Sequence, residues 1–499
     1  MLPQCRQHTE MTDTENSESP VFAAPLDALQ SVFGYQSFRA SQSAVIDHVL
    51  SDQHAMVVMP TGMGKSLCYQ IPALLSTDND QGNEIVLVLS PLIALMQDQV
   101  DALRRKGVDA AFVNSSLDRQ AREKRYKQIS DGRFQLLYVT PERFRKPEFL
   151  EVIGRRRVKL LAVDEAHCVS QWGHDFRPDY SRLAEIRQLL GNPTTIALTA
   201  TATAECRQDI YRQLGIEPEH IRLFHEGIDR PNLELRVQDV WDETEKIDAV
   251  EKVLKDAAYP GGSVIIYFSL IKTLQRFSDS MLSKGIDHIC YHGDLDRKRR
   301  KRVQDEFMVG DADLVLATNA FGMGVDKEDI RIVIHAETPG SIESYYQEIG
   351  RAGRDNQPSL CLWLYLQSDL MTQMQFIEWS NPDADFYNRL HTTLCEHNEQ
   401  CRAFGLEWLN SKLQRRSKHD HRLATAIAMF DRYGVVAGPR PPECFDVQTD
   451  LLDVFQDRES LEDKKRRGQQ RLYAMVQLAA AETDDRKRFL NDYFLKEPS

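Results

Sequence analysis

The sequence predicts an α/β protein of two tandem, doubly wound lobes, each a parallel sheet covered by helices, followed by a mainly helical region with a winged-helix-like unit. Three observations carry this reading. Short apolar runs recur between residues 54 and 335, they alternate with longer helical stretches, and the rhythm stops and restarts once, near residues 226 to 235. Apolar runs in such alternation belong to strands buried on both faces, because crossover helices cover each side of a parallel sheet.

Residues 1–22 are polar, with no apolar stretch of leader type, and are expected to be disordered. The first lobe is expected over 23–225, with strands in "AMVVM", "IVLVLS", "FQLLYVT", "KLLAVDEAH" and "TTIALTATAT". The second is expected over 226–366, with "GSVIIYF", "HICYHG", "ADLVLATN" and "IRIVIHAE". Residues 367–499 are expected to form the helical accessory region. They read as three helices and a short strand-like "GVVAG", a Pro-rich linker "PRPPECFDVQTD", a mixed-charge helix "DRESLEDKKRRGQQR" and a terminal helical hairpin.

Composition narrows the function classes. A net charge of -13 argues against binding a polyanion through bulk positive field, so any such contact needs local basic surfaces. "RKRRKR", Arg297 to Arg302, is either such a surface or the solvated face of a helix, and "KLQRRSKHDHR" offers the same two readings. Nine cysteines without a C-x-x-C pair exclude a disulfide framework and an ordinary zinc knuckle. No apolar run approaches the roughly 18 residues of a membrane span, so a cytoplasmic protein without membrane contact is expected.

The chemistry concentrates after the first apolar run. "MPTGMGKS" can wrap phosphate oxygens with the backbone of Thr61, Gly62, Met63 and Gly64. Lys65 would then pair with the β- and γ-phosphates and Ser66 would ligate Mg²⁺, although Met59 stands where the full pattern has its first glycine. In "VDEAH", Asp164 at a strand end can hold the Mg²⁺ and Glu165 can polarise an attacking water; alone, the dipeptide could equally be a helix cap. A Gly-Lys-Ser and a strand-end Asp-Glu about 100 residues apart in one lobe favour a nucleotide site. "FGYQSFRASQ" adds the Tyr35 ring, the Arg39 cation and the Gln42 amide, suited to stacking and hydrogen-bonding adenine, with Phe33 and Phe38 expected in the core. "HCVSQWGHDFRPDYSRL" crowds Trp172, His174, Phe176 and Arg177 into one loop that either stacks exposed bases or is pinned to the core. "SYYQEIGRAGRD" is expected to place Gln347, Arg351 and Arg354 on one helical stretch, with the two arginines on one face. An arginine offered from one lobe to a nucleotide on the other stabilises transition-state charge only on closure.

These strings, in this order over roughly residues 28–366, resemble superfamily 2 helicases of the RecQ type, and the "CVSQWGHDFRPDY" loop is the part that separates RecQ-like enzymes from DEAD-box RNA helicases. The resemblance implies RecA-like lobes, ATP and Mg²⁺ as cofactors, single-stranded and duplex DNA as partners, and 3′ to 5′ unwinding in DNA repair or recombination, nucleoid-associated in a bacterium. It implies Tyr35, Arg39 and Gln42 at the adenine and Arg351 or Arg354 as the arginine finger. An ATP-driven translocase or RNA helicase is the alternative. A binding scaffold without turnover has no need of Lys65, Asp164, Glu165 and Arg354 together. The family usually carries a four-cysteine zinc module after the motor, whereas residues 471–499 contain neither cysteine nor histidine. The hairpin is therefore expected to be zinc-free and held by Leu472, Met475, Val476, Phe489 and Tyr493. His391, Cys395, His397 and Cys401 form the one alternative metal-ligand set, against their reading as ordinary helix residues.

Trp172→Ala or Phe176→Ala is expected to uncouple ATP hydrolysis from strand binding, since a stacking ring contributes about 1–3 kcal/mol per base. Stimulation of these variants by single-stranded DNA equal to that of the parent would return the aromatics to the core.

Overall fold

The computed structural model describes residues 22–75, 83–91, 93–170, 180, 182–256, 261–322, 325, 327–414, 420–440 and 444–495. The expectations for residues 1–21 and for Trp172, His174, Phe176 and Arg177 lie outside the described residues, as do Met323, Gly324 and Asp326 and residues 415–419 of the basic stretch.

Among the described residues, seven parallel strands form the first sheet: β1 His54–Val58, β2 Glu84–Leu89, β3 Ala110–Val113, β4 Leu136–Val139, β5 Arg157–Val163, β6 Thr194–Thr199 and β7 Ile221–His225. Their order is β3-β4-β2-β5-β6-β1-β7. Successive side chains of a strand point to opposite faces. Met56 and Val58 accordingly join one apolar core while Ala55 and Val57 join the other, which is why the run carries no polar alternation. The second sheet contains β8 Leu233–Asp239, β9 Ser263–Phe268, β10 Ile289–Tyr291, β11 Leu314–Thr318, β12 Ile330–His335 and β13 Ser359–Tyr365, again parallel, in the order β10-β11-β9-β12-β13-β8. The carboxyl ends of β1 and β5 face the second lobe, whose residues 350–354 sit at the amino ends of β12, β13 and β8: Gly353 N donates to Ile330 O at 2.9 Å and Asn232 Nδ2 to Gly353 O at 2.9 Å.

The runs singled out in the sequence omit β3, β7, β8 and β13. The edge strands break the apolar run by exposing residues to solvent, Arg222 and Leu223 in β7 and Glu234, Gln238 and Asp239 in β8, and β3 is a short edge with two alanines. β13 is apolar throughout and carries the signal in full. "RKRRKR" opens the helix Arg297–Val309, whose basic residues are mostly exposed, as both readings require, and whose Arg302 pairs with Glu306 at 2.8 Å.

The accessory region packs helices Ala384–Glu396, Asn398–Lys412 and Arg422–Arg432 around Phe386, Tyr387, Phe430 and Phe455. An antiparallel pair, β14 Val436–Arg440 and β15 Cys444–Val447, follows in the three-helix-then-wing order expected. The stretch expected to be a Pro-rich linker thus carries a strand: Val447 pairs with Val436 and packs against the helical core, a burial that the prolines preceding it do not oppose. His391 and Cys395 sit one helical turn apart at 3.8 Å, but Cys401 is buried in the core and His397 packs edge-on against Trp408. Among the described residues, no three His, Cys, Asp or Glu side chains gather in a metal-holding group, and no helix is long and apolar enough to cross a membrane.

The terminal hairpin consists of helices Arg458–Ala480 and Asp485–Leu495. It adds Met475, Leu478, Leu490 and Phe494 to the core that also holds Val333 and Trp363 of the second sheet. Leu472 and Met475 are buried as expected, whereas Val476, Phe489 and Tyr493 are half-buried. Phe489 and Tyr493 do pack against that core, but the fully buried positions of the second arm are Leu490 and Phe494, one further along: Phe494 lies against the Tyr346 ring at 5.4 Å, while the Tyr493 hydroxyl donates to Oε1 of buried Glu343 at 2.9 Å.

Phe494→Ala is expected to cost about 3–5 kcal/mol of unfolding free energy by leaving a cavity in the second-lobe core. Denaturant unfolding checks this, and an unchanged midpoint would mean that the hairpin is not part of that core.

Candidate active site

The phosphate-loop candidate follows β1 directly. Met59 is fully buried and its amide donates to Thr199 O at 3.1 Å, so the position expected to carry a glycine is the last rung of the sheet rather than part of the turn. The turn itself needs Gly62 and Gly64, which have φ of +83° and +76°. A side chain on Gly64 would begin 2.7 Å from Gln42 Nε2. That contact exists because the Gln42 amide donates to Met63 O at 2.8 Å and Gly64 O at 3.1 Å, while its Oε1 accepts from Arg39 N at 2.8 Å. The amide is thus committed to loop and backbone, and it fixes the loop as well as lining the cavity beside it. That cavity, about 250 Å³, is bordered by Tyr35, Arg39, Gln42, Gly62, Gly64 and Ser66. Arg39 lies over the Tyr35 ring, 5.8 Å from its centroid, which gives the mouth a flat, cationic rim.

Behind the loop, Lys65 Nζ folds back to Met59 O at 3.0 Å and Pro60 O at 3.4 Å. Burial lowers its pKa, opposed by the carboxylates of Glu165 and Asp164 and reinforced by Arg354. Asp164 ends β5 and is buried. Its carboxyl is pushed up to about 7, first by burial and then by Glu165, with Lys65 opposing. Glu165 takes a left-handed backbone conformation, φ +49°, which few non-glycine residues adopt, and its amide donates to Asp164 Oδ1 at 3.0 Å. Its Oε2 lies 3.3 Å from His167 Nδ1, a charge contact rather than a hydrogen bond, since that nitrogen is bonded to Thr199 Oγ1 at 3.0 Å.

The second lobe closes this site. Gly350 caps the helix Ile342–Ile349, so Arg351 and Arg354 lie in the turns after it and not on one helical face, as the sequence reading had them. The physical reason is Gly353, whose φ of +57° ends any helical course. The arginines diverge as a result. Arg351 is buried in its own lobe, donating to Gly322 O and facing the Tyr267 hydroxyl. The Arg354 stem lies over the phosphate loop, with Cγ 3.3 Å from where a Gly62 side chain would begin. Gly350 approaches Thr61 as closely: a side chain there would begin 3.1 Å from Thr61 Oγ1. Gln347 Nε2 reaches across to Thr201 Oγ1 at 3.3 Å and His167 Nε2 at 3.5 Å.

Sequence reasoning assigned no role to His167, Thr199 or Thr201, which lie within the quoted strings "DEAH" and "TATAT", or to Arg230 in the interlobe segment. Arg230 donates to Thr61 O at 3.4 Å and to Ala352 O and Gly353 O, both at 2.8 Å.

A DEAD/DEAH box helicase model matches residues 39–209, and a helicase conserved C-terminal domain matches residues 245–356. The chain is 41% identical over 359 residues to a probable ATP-dependent DNA helicase RecS of Bacillus subtilis, spanning 72% of this chain and 70% of that protein. It is 41% identical over 353 residues to the ATP-dependent DNA helicase RecQ of Pasteurella multocida, spanning 70% of this chain and 54% of that protein. The chain thus covers little more than half of the RecQ proteins it matches, 54% for both Pasteurella multocida and Haemophilus influenzae. In fold it is similar to the helicase MrfA solved with DNA and AMPPNP, with a TM-score of 0.57 at 18% identity, over 89% of this chain and 65% of that one. Fold and cleft define a two-lobed helicase core of the DEAD/DEAH box class. Within that class, the chain belongs to the RecQ family of ATP-dependent DNA helicases.

The raised Asp164 carboxyl sets a pH dependence. A group near 7 in the folded chain and about 3.9 in the unfolded one holds a proton that unfolding releases. Without nucleotide or metal, stability is therefore expected to fall as pH rises from about 5 to about 7, and Asp164→Asn to flatten that slope. Melting temperatures across this range check it; parallel curves for parent and variant would contradict the assignment.

Proposed function

We propose that this chain is a RecQ-type helicase motor that hydrolyses ATP between residues 23–225 and 226–366, moves 3′ to 5′ on single-stranded DNA and opens duplex DNA, in the cytoplasm and in the service of repair or recombination. One observation carries the reading most strongly: Arg354 of the second lobe lies over Gly62 of the first, beside Lys65, Asp164 and Glu165. A cleft whose walls belong to two separate sheets is complete only when the lobes meet, so turnover and lobe movement become one event.

The residues suit a Mg²⁺–nucleotide complex. Two adjacent carboxylates at one strand end, one of them buried with its pKa raised, are an oxygen donor set short of positive charge. A bound Mg²⁺ would supply that charge and screen the phosphate oxygens. In this arrangement Asp164 and Ser66 would hold the metal, Glu165 would orient the attacking water and take its proton, and Lys65 would exchange its carbonyl partners for phosphate. Arg354 supplies the remaining positive charge from the other lobe. Tyr35 and Arg39 receive the base at the cavity mouth, and Gln42 keeps the loop in register with it. Arg351, held at Gly322, is assigned to the second-lobe loop and not to the phosphate.

The reading is tested by measuring strand-stimulated ATP hydrolysis alongside unwinding of matched DNA and RNA duplexes with 3′ or 5′ tails. Opening of the 3′-tailed DNA duplex alone supports it; opening of RNA alone, or ATPase without opening, favours the alternatives. Lys65→Ala is expected to abolish turnover with the fold intact. Glu165→Gln should retain ATP binding without hydrolysis, and Arg354→Ala should lower kcat by roughly 10³-fold or more, the scale of an arginine finger. Normal turnover by any of the three sinks the site.

A further inference from the structure

The turn that presents Arg354 is irregular, and its backbone is held from outside the turn. Residues 350–354 have left the helix, and the carbonyls of Ala352 and Gly353 are taken by the interlobe segment: Arg230 Nη2 donates to both at 2.8 Å, and Asn232 Nδ2 donates to Gly353 O at 2.9 Å and Gln357 O at 3.1 Å. The same guanidinium reaches Thr61 O of the phosphate loop through Nη1 at 3.4 Å and Asn232 Oδ1 through Nε at 3.4 Å. A planar fork of five donors can serve several carbonyls at fixed angles, which a lysine ammonium cannot reproduce. Arg230 thus ties together the phosphate loop, the segment between the lobes and the turn that carries Arg354.

Arg230 is itself fixed from the terminal hairpin. Lys487 Nζ donates to Arg230 O at 3.3 Å and Pro231 O at 3.2 Å, and Arg486 Nη1 reaches Leu235 O at 3.4 Å. The helix bearing both is anchored by Leu490 and Phe494 in the second-lobe core. The segment is also bound to each lobe, through Ser41 N to Glu226 Oε1 at 3.0 Å and Tyr346 OH to Ile228 O at 2.7 Å.

We propose that Arg230 is a positioning residue that holds the Arg354 turn against the phosphate loop, and that Lys487 of the terminal hairpin holds Arg230 in that place. This rests on reading the cleft as the ATP-hydrolysing site. Arg230 acts through Arg354: placement of the finger, and so kcat, depends on it, whereas nucleotide affinity depends on the loop, Lys65 and the base-side residues. Lys487 exerts the same effect at one remove, so the hairpin bears on turnover without touching nucleotide.

The test uses the full chain with Arg230→Ala, Arg230→Lys, Lys487→Ala, Lys487→Arg, Arg354→Ala and the double variant Arg230→Ala/Arg354→Ala. ATPase is measured at saturating single-stranded DNA, nucleotide affinity with a fluorescent ATP analogue, and hydrogen exchange at the amides of residues 350–357 without nucleotide. Arg230→Ala is expected to lower kcat on the order of 10- to 100-fold, the usual result of a small misplacement, with analogue affinity unchanged and faster exchange in the turn. Arg230→Lys should not rescue it. The double variant should be no slower than Arg354→Ala, since neighbours acting as one unit are not additive. Lys487→Ala should show a smaller loss in kcat and faster exchange, both restored by Lys487→Arg. Full kcat with unchanged exchange in Arg230→Ala overturns the proposal, as does an additive loss in the double variant. A parent chain without ATPase would defeat the reading of the cleft instead, and the exchange result would then decide on the tether by itself.

Discussion

The arrangement of this molecule depends on the approach of one turn to another: residues 350–354 of the second lobe lie on the backbone of Thr61 and Gly62 in the first. The spacing is tight on both sides: a side chain at Gly62 would begin 3.3 Å from Arg354 Cγ, and one at Gly350 would begin 3.1 Å from Thr61 Oγ1. Close packing of this kind transmits displacement rather than absorbing it. A shift of the second sheet moves Arg354 over the phosphate loop, and Gln347 over His167 and Thr201, in the same step. What each lobe carries is a partial site, and the contact is what makes the parts one.

The electrostatics of the first lobe are poised around that contact. Lys65 and Asp164 share a pocket in which burial disfavours both charges, and their neighbours only partly offset that cost. The Glu165 backbone is held in the left-handed region at the same place. An uncompensated charge in such surroundings is costly, so its neutralisation by a group of opposite sign is correspondingly favourable. The loop is steadied meanwhile from the base side, where the Gln42 amide is bonded to two of its carbonyls.

How much of this was legible in the sequence follows from contact range. Lys65, Asp164 and Glu165 are each defined by the strand and turn immediately around them, so a local string was sufficient to place them at the carboxyl ends of a parallel sheet. The helical reading of Arg351 and Arg354 failed although its warning is in the string: Gly350 and Gly353 flank them, and either can end a helix. Met59 looked like a defect in a loop pattern and is a buried residue that continues the sheet just past β1, a distinction that only the bond to Thr199 reveals. Phe494 and Leu490 differ from Phe489 and Tyr493 by one position of helical phase, which a hairpin of mixed polarity does not specify by itself. Arg230 and Lys487 carried no signal, because each acquires its place from carbonyls far along the chain.

That distance has a consequence for the order in which the molecule is made. Lys487 lies 257 positions after Arg230, and Arg486 lies 251 after Leu235. At a synthesis rate of about 5–20 residues per second, the segment between the lobes leaves the ribosome tens of seconds before the helix that clasps it. Both sheets are complete by Tyr365 and can fold during that interval. The nascent chain therefore passes through a stage in which two finished lobes are joined by an unclasped strap, free to sample relative orientations, and the helix Asp485–Leu495, once it emerges, selects one of them.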